Sequence, residues 1–341
     1  MKTRFKYCFI LVFFGLLFLH NISWGQKYTI KFATLAPEGS TWMNIMREFD
    51  RELRLETNGE VGFRIYGGGV LGDESDVMRK IRIGQLHAAG FTGLGMGHIL
   101  PIVHLLETPF LYRNTEEVDF IFEKFGEYYA ENFSEKGYEL LGWAEVGFVY
   151  VFTKEPVENL EDMRKVKMWV WEGEPVAEAT FKSFGLNPIP LSVLDVMTAL
   201  QTNMVNGVYT SPLAVIALQW FTKVKYMMEI PLTNGTGGVL ISKRMYNKIP
   251  EEHREILNGL AKRYLAKLTQ LSRADNTAAI ETLKKNGITV VPPLDLATLQ
   301  NYYRLGASTR KDMVGRFYSQ DLLDKVESAL EEYRKSSRNQ R

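Results

Sequence analysis

The chain has 341 residues and a formal net charge of +1, with 41 Lys and Arg against 40 Asp and Glu. Charges alternate in sign, as in Arg51-Glu52 and Glu251-Glu252-His253-Arg254, and the near-neutral balance excludes the basic surface that grips a phosphate backbone. The length suits two domains, and a single cysteine, Cys8, excludes a disulfide scaffold.

Residues 1–25 read as a cleavable secretory signal peptide. Lys2, Arg4 and Lys6 precede an apolar stretch that is too short to span a bilayer, and Ser23, Trp24 and Gly25 supply the cleavage site. The expected location is therefore periplasmic. Cleavage removes Cys8, so stability rests on packing alone in a compartment that permits disulfides. Tyr28, Ile30 and Phe32 then alternate with polar neighbours, the period of a half-buried strand. Ser40 caps a helix with Trp42, Ile45, Met46, Phe49 and Leu53 on one face, ended by Asn58-Gly59. Val61, Phe63 and Ile65 make a second strand, Gly67-Gly68-Gly69 a loop, and Asp73-Glu74 the acidic start of a helix ending near Gly84. This β-α-β-α order predicts an α/β fold with a mostly parallel sheet, whose ligands sit at the carboxyl ends of the strands.

Residues 139–153 form one apolar run, read as a strand crossing between the two domains, which Glu155-Pro156 breaks. A second α/β unit follows, with strands at 166–171 and 205–209 and helices at 175–184, at 192–202 and after Pro212. A strand at 239–242 returns to the first domain. From Glu251 to Asn286 no proline interrupts a helical pattern carrying Ile256, Leu257, Leu260, Tyr264 and Leu268. At about 1.5 Å per residue that helix is long enough to cross both lobes. A strand at 288–291 and a helical tail are expected in the second lobe, with residues beyond 334 frayed. The resulting division is 26–149 plus 236–270 for lobe I and 150–235 plus 271–341 for lobe II.

Gly93, Gly95 and Gly97 lack the Lys-Ser/Thr of a phosphate loop and the dinucleotide spacing, so they read as a loop that admits close backbone approach, as does Gly235-Thr236-Gly237-Gly238. His87, His98, His104 and His253 share no metal-ligand spacing. There is no Gly-x-Ser-x-Gly elbow and no cysteine nucleophile outside the leader. The predicted function is binding, with no catalysis, no cofactor and no metal. Aromatic residues gather at the middle strand ends. Phe148 and Phe221 read equally as core or as lining. Trp169 and Trp171, two apart on a strand, share a face suited to a cleft. Strand-end geometry thus nominates Thr92, Gly93, Phe148, Trp169, Trp171, Tyr209 and Ser211 as ligand-binding. Glu145, Glu172 and Glu174 lie nearby and admit a rival chemistry, holding a metal or receiving an amine.

Several segments taken in order resemble the substrate-binding subunits of tripartite ATP-independent periplasmic (TRAP) transporters of the dicarboxylate-receptor type. They are Ile30-Lys31-Phe32-Ala33-Thr34, Ile65-Tyr66-Gly67-Gly68-Gly69-Val70-Leu71-Gly72-Asp73-Glu74, Pro109-Phe110-Leu111, Asn187-Pro188-Ile189-Pro190-Leu191, Thr198-Ala199-Leu200-Gln201-Thr202 and Asn206-Gly207. The resemblance covers nearly the whole mature chain. It implies a two-lobed periplasmic-binding-protein clamshell with a long helix spanning both lobes, and delivery of a small molecule to separate membrane subunits. It also implies an arginine that grips a ligand carboxylate on the strand that here reads Lys167-Met168-Trp169-Val170. Trp169 stands in that arginine's place, and Val149 takes a second position that is commonly basic, which adds Val149 to the candidate site. The sequence further resembles a branch associated with a tetratricopeptide-repeat partner and hydrophobic ligands. The expected ligand is therefore apolar or amphipathic; the alternative is an organic acid held through a metal or backbone donors.

Overall fold

The computed structural model describes residues 27–338, so the expected signal peptide lies outside the described residues. Strand β1 (Tyr28–Ala33) buries Ile30 and Phe32 as its alternation requires. Ser40 Oγ accepts the Met43 amide and starts a helix, Thr41–Glu56, that lays Ile45, Met46, Phe49 and Leu53 on the sheet. Asn58 and Gly59 then take left-handed conformations, φ 50° and 79°, and turn the chain into β2 (Val61–Tyr66). Asp73 caps the helix Glu74–Arg82, which leads to β3 (Ala88–Thr92). Two further strands complete this sheet, β4 (Tyr138–Trp143) and β11 (Gly237–Ser242), in the order β2-β1-β3-β11-β4. Strands β1, β2 and β3 are parallel, and β11, buried at every residue, runs antiparallel between β3 and β4.

The second lobe holds β5 (Gly147–Thr153), β6 (Trp169–Trp171), β7 (Ile189–Leu191), β8 (Gly207–Thr210), β9 (Tyr226–Met228), β10 (Thr233–Gly235) and β12 (Thr289–Val291). Its sheet is ordered β10-β5-β9-β12, with β8 also on β5, and β6 and β7 form a parallel pair beside it. The expectation of mostly parallel sheets fails here. Strand β5 is antiparallel to β8, β9 and β10.

The run expected as a single strand over 139–153 is two strands, β4 and β5. Gly147, at φ 98°, re-aims the chain between the lobes, and a Cβ there would lie 2.5 Å from Asn276 Nδ2. The return path β10–β11 lies alongside. Gly237 accepts from the Ala144 amide at 2.8 Å and Gly235 from the Val146 amide at 2.9 Å, so two hydrogen bonds pair the crossing's two paths between the sheets.

Helix Glu251–Lys285 matches the expected span. Leu257, Leu260, Leu265 and Leu268 pack in the first lobe's core and Leu283 in the second's. The tail divides between the lobes. Helix Leu296–Asp312 buries Tyr302 in the second lobe. Helix Gln320–Arg338 instead lays Leu322, Leu323, Val326 and Leu330 on the first lobe's core, beside helix Thr115–Glu135. The placement of all of 271–341 in lobe II therefore fails at its end. The reason is an amphipathic face that fits an unfilled side of the first lobe, locked by Arg334, which pairs with the buried Glu117 at 2.6 Å. No helix of the described residues is long and apolar enough to cross a membrane.

Candidate functional site

A cavity of about 540 Å³ lies between the lobes, within the range of small-molecule sites. Six of the sequence-nominated residues line it: Thr92, Val149, Trp169, Trp171, Tyr209 and Ser211. Thr92 and Ser211 are there because strand ends become helix caps. Thr92 Oγ1 accepts the Leu94 amide, and Ser211 Oγ accepts the Ala214 amide.

Gly93 and Phe148 are not in the wall. Phe148 packs half-buried on the first lobe's core, the core reading of the two left open. The loop expected at Gly93, Gly95 and Gly97 is instead the helix Gly93–Ile99, and the close approach that Gly93 admits is that of a protein carboxylate rather than a ligand. A Cβ on Gly93 would stand 1.8 Å from Glu107 Oε2.

Trp169 forms the floor of the second-lobe side. It is 2 % exposed, yet it faces the cavity. Its indole stacks on Tyr209 with centroids 5.1 Å apart, meets Trp220 edge-on at 5.3 Å, and lies 6.1 Å from Trp171. Its Nε1 donates to the Leu191 carbonyl at 2.9 Å, across the β6–β7 pair. From the first lobe comes Trp42, which sequence periodicity assigns to the core face of its helix; it stacks on Phe32 at 6.0 Å while also lining the cavity.

The lobes are tied across the cavity mouth. Trp171 Nε1 donates to both oxygens of Asp73, at 3.0 and 3.1 Å, and the Ser192 hydroxyl donates to the same carboxylate. His98 Nε2 lies 2.9 Å from the Gly173 carbonyl.

Charge in the wall has one sign. Glu74, Glu107, Glu145 and Glu174 line the cavity, and among the described residues no Lys, Arg or His does. Glu74 accepts from the Thr92 amide, the Gly95 amide and the Thr92 hydroxyl, at 2.8, 2.8 and 3.1 Å. Glu174 caps helix Pro175–Ser183 through the Val176 and Ala177 amides, at 2.9 and 2.6 Å. Burial pushes both carboxyls up to about 7 despite those bonds. Glu145 is held by Arg273 at 2.5 and 3.0 Å and by Asn234 Nδ2 at 3.0 Å, and Arg273 is also shared with Asp119. Glu107 accepts from the Thr236 amide at 2.6 Å. Burial, with Glu174 and Glu74 nearby, pushes its carboxyl well above the usual range.

Sequence reasoning missed Glu74 and Glu107. Asp73-Glu74 carried the visible signal of a helix start, which hides a second role. Glu107 follows an apolar run, and the amide that binds it comes from Thr236, far along the chain, so no local pattern marks it. Of the rival carboxylates, Glu145 is paired and Glu174 is a cap, while Glu172 is exposed at the surface. Among the described residues no group of three His, Cys, Asp or Glu is placed to hold a metal ion.

Two α/β lobes closing on a lined cavity, joined by a double-stranded crossing and a shared helix, define a clamshell solute receptor. Residues 32–304 match the bacterial extracellular solute-binding protein family 7, and the chain belongs to that family, whose members include the TRAP receptors. It is similar to a solute-binding protein of Verminephrobacter eiseniae, 27 % identical over 73 % of this chain and 75 % of the relative. It is also similar to the sialic acid-binding periplasmic protein SiaP of Vibrio cholerae, 24 % identical over 78 % of this chain and 83 % of the relative. The fold matches a TRAP periplasmic solute-binding protein of Haemophilus influenzae with bound L-gulonate, with TM-score 0.83 and 21 % identity, covering 90 % of this chain and 99 % of that one.

Proposed function

We propose that this TRAP-type receptor binds a ligand with an apolar or amphipathic body rather than a simple organic acid. The observation that carries the reading is the wall itself, built from Trp42, Trp169, Trp171, Trp220 and aliphatic side chains with no cationic residue among those described. A carboxylate placed there would be desolvated without a cationic partner, at a cost of several kcal/mol. Arg273 offers no remedy, because two carboxylates already hold it. Relatives named for their ligands include receptors for gulonate and sialic acid; this wall offers no cationic side chain, among the described residues, to pair with such an acid. Receptor rather than enzyme is the reading that family membership supports, with release to TRAP membrane subunits and, by the same resemblance, a tetratricopeptide-repeat partner. Mass spectrometry of the molecule that co-purifies with the exported chain tests the ligand class, together with calorimetry against dicarboxylates, 2-oxo acids, fatty acids and neutral aromatics. Micromolar binding of a small dicarboxylate without metal, with no response to any apolar compound, would falsify it.

A further inference from the structure

One corner of the cavity is polar and unfilled. It lies where the β10–β11 crossing meets the segment before Thr108. Glu107 presents its carboxylate to the cavity, and only Oε1 has a donor among the described residues, the Thr236 amide. Thr236 also lines the cavity and is 1 % exposed, and its hydroxyl oxygen is buried without a hydrogen-bond partner. Asn234, two residues earlier on the same crossing and fully buried, likewise has an unpartnered Oδ1. The side chain cannot be turned over to relieve this, because its Nδ2 is held by the Glu145 carboxylate at 3.0 Å and an oxygen in that place would face like charge.

The corner thus offers a carboxylate oxygen and a hydroxyl that both gives and takes, while Asn234 lies outside the cavity lining. The nearby backbone donor is already used by Glu107. Buried acceptors left unfilled are costly, so the group that fits must bring donors, and the surrounding carboxylates Glu74 and Glu174 favour one that also brings positive charge. We propose that the Glu107–Thr236 corner receives the ammonium head of an amphipathic amine whose apolar body lies along the tryptophan wall. An ammonium supplies three N–H donors, and aromatic faces accommodate a cation as well as an apolar chain. The proposal rests on the reading of the cavity as a site for an amphipathic body and adds the chemistry of its polar end.

Calorimetry on the mature chain with decylamine, 1-decanol and decanoate separates head from body, since the three share an alkyl chain. Decylamine is expected to bind about tenfold or more tighter than 1-decanol, with decanoate weakest, the difference of a charge-assisted hydrogen bond. Glu107→Gln is expected to narrow the amine-to-alcohol ratio to within about twofold, and Thr236→Val to lower it in part, because each removes an acceptor from the head alone. Equal affinity for amine and alcohol overturns the proposal while leaving the apolar reading standing. So does a pair of variants that weaken both compounds in proportion, which marks a structural role. If none of the three compounds binds, both readings fall.

Discussion

Trp169 is at once wall and prop. It faces the cavity, yet Tyr209, Trp220 and the Leu191 carbonyl hold it on its other sides. Trp169→Phe keeps an aromatic face and loses the indole's bond to the Leu191 carbonyl, which retains the Glu172 amide at 3.2 Å, so a loss of about 1 kcal/mol in denaturant unfolding is expected, the net value of one hydrogen bond. Trp169→Arg, which restores the side chain that the family resemblance implies, buries a cation among aromatic rings. Destabilisation of about 3 kcal/mol or more is expected unless a dicarboxylate is supplied, and a dicarboxylate-dependent rise in melting temperature would read out the exchange of ligand class. The buried carboxyls make a second expectation. Glu74 and Glu174 sit at about 7 in the folded chain against a usual 4.5, so the fold holds their protons more tightly than the unfolded chain does. Their contribution is complete below the lower value and is lost as pH rises through the higher one. The melting temperature should therefore fall between about pH 5 and about pH 8, and Glu174→Gln should flatten that fall; a profile that rises over this window would sink the assignment. At this scale the sequence made the tryptophan pair legible, because period two on a strand fixes a shared face. The acidic lining was not legible, because Glu107 takes its meaning from Thr236, which only the fold brings near.

The elements were more legible than the residues. Helix Glu251–Lys285 ends one residue from where the pattern ends, since a long proline-free amphipathic run has few other solutions. The crossing reads as one strand because apolar composition continues through Val146 and Gly147, and only Gly147's positive φ marks the turn. The last helix departs from its expected lobe because amphipathicity says that a face is buried and not against which lobe. Asn276 on the long helix shows how the crossing is held. Its Nδ2 donates to the Val146 carbonyl at 3.0 Å, and its Oδ1 accepts the Leu213 amide at 2.9 Å, so one side chain ties the crossing to the start of helix Pro212–Ala217. Asn276→Ala should cost about 1–3 kcal/mol, since both backbone groups lose their partner. Asn276→Asp should recover only part of this, because it keeps the acceptor and loses the donor. Denaturant midpoints for the pair distinguish this role from simple packing, in which the two variants would behave alike.

For the whole molecule, the described conformation is one with the lobes joined at the mouth, through Asp73 to Trp171 and Ser192 and through His98 to Gly173. Closure in such receptors concentrates dihedral change in short crossings, here the double strand at Ala144–Val146 and Gly235–Gly237. Trp171→Phe combined with Ser192→Ala removes both donors to Asp73 while leaving its cap on helix Glu74–Arg82 in place. The double variant should show a larger radius of gyration without ligand, by small-angle scattering, and should regain the smaller one only at higher ligand concentration. An unchanged radius in both states would show that the mouth contacts follow closure without stabilising it. The same contacts give the receptor an optical property. Of its six tryptophans, Trp42, Trp169, Trp171 and Trp220 line the cavity, and the Trp171 indole is bonded to a carboxylate of the opposite lobe. Parting the lobes breaks that bond and wets the indoles, and a photoexcited indole relaxes toward water. Emission that reddens on opening and blues on closing would make the unlabelled protein a spectroscopic gauge of its own occupancy.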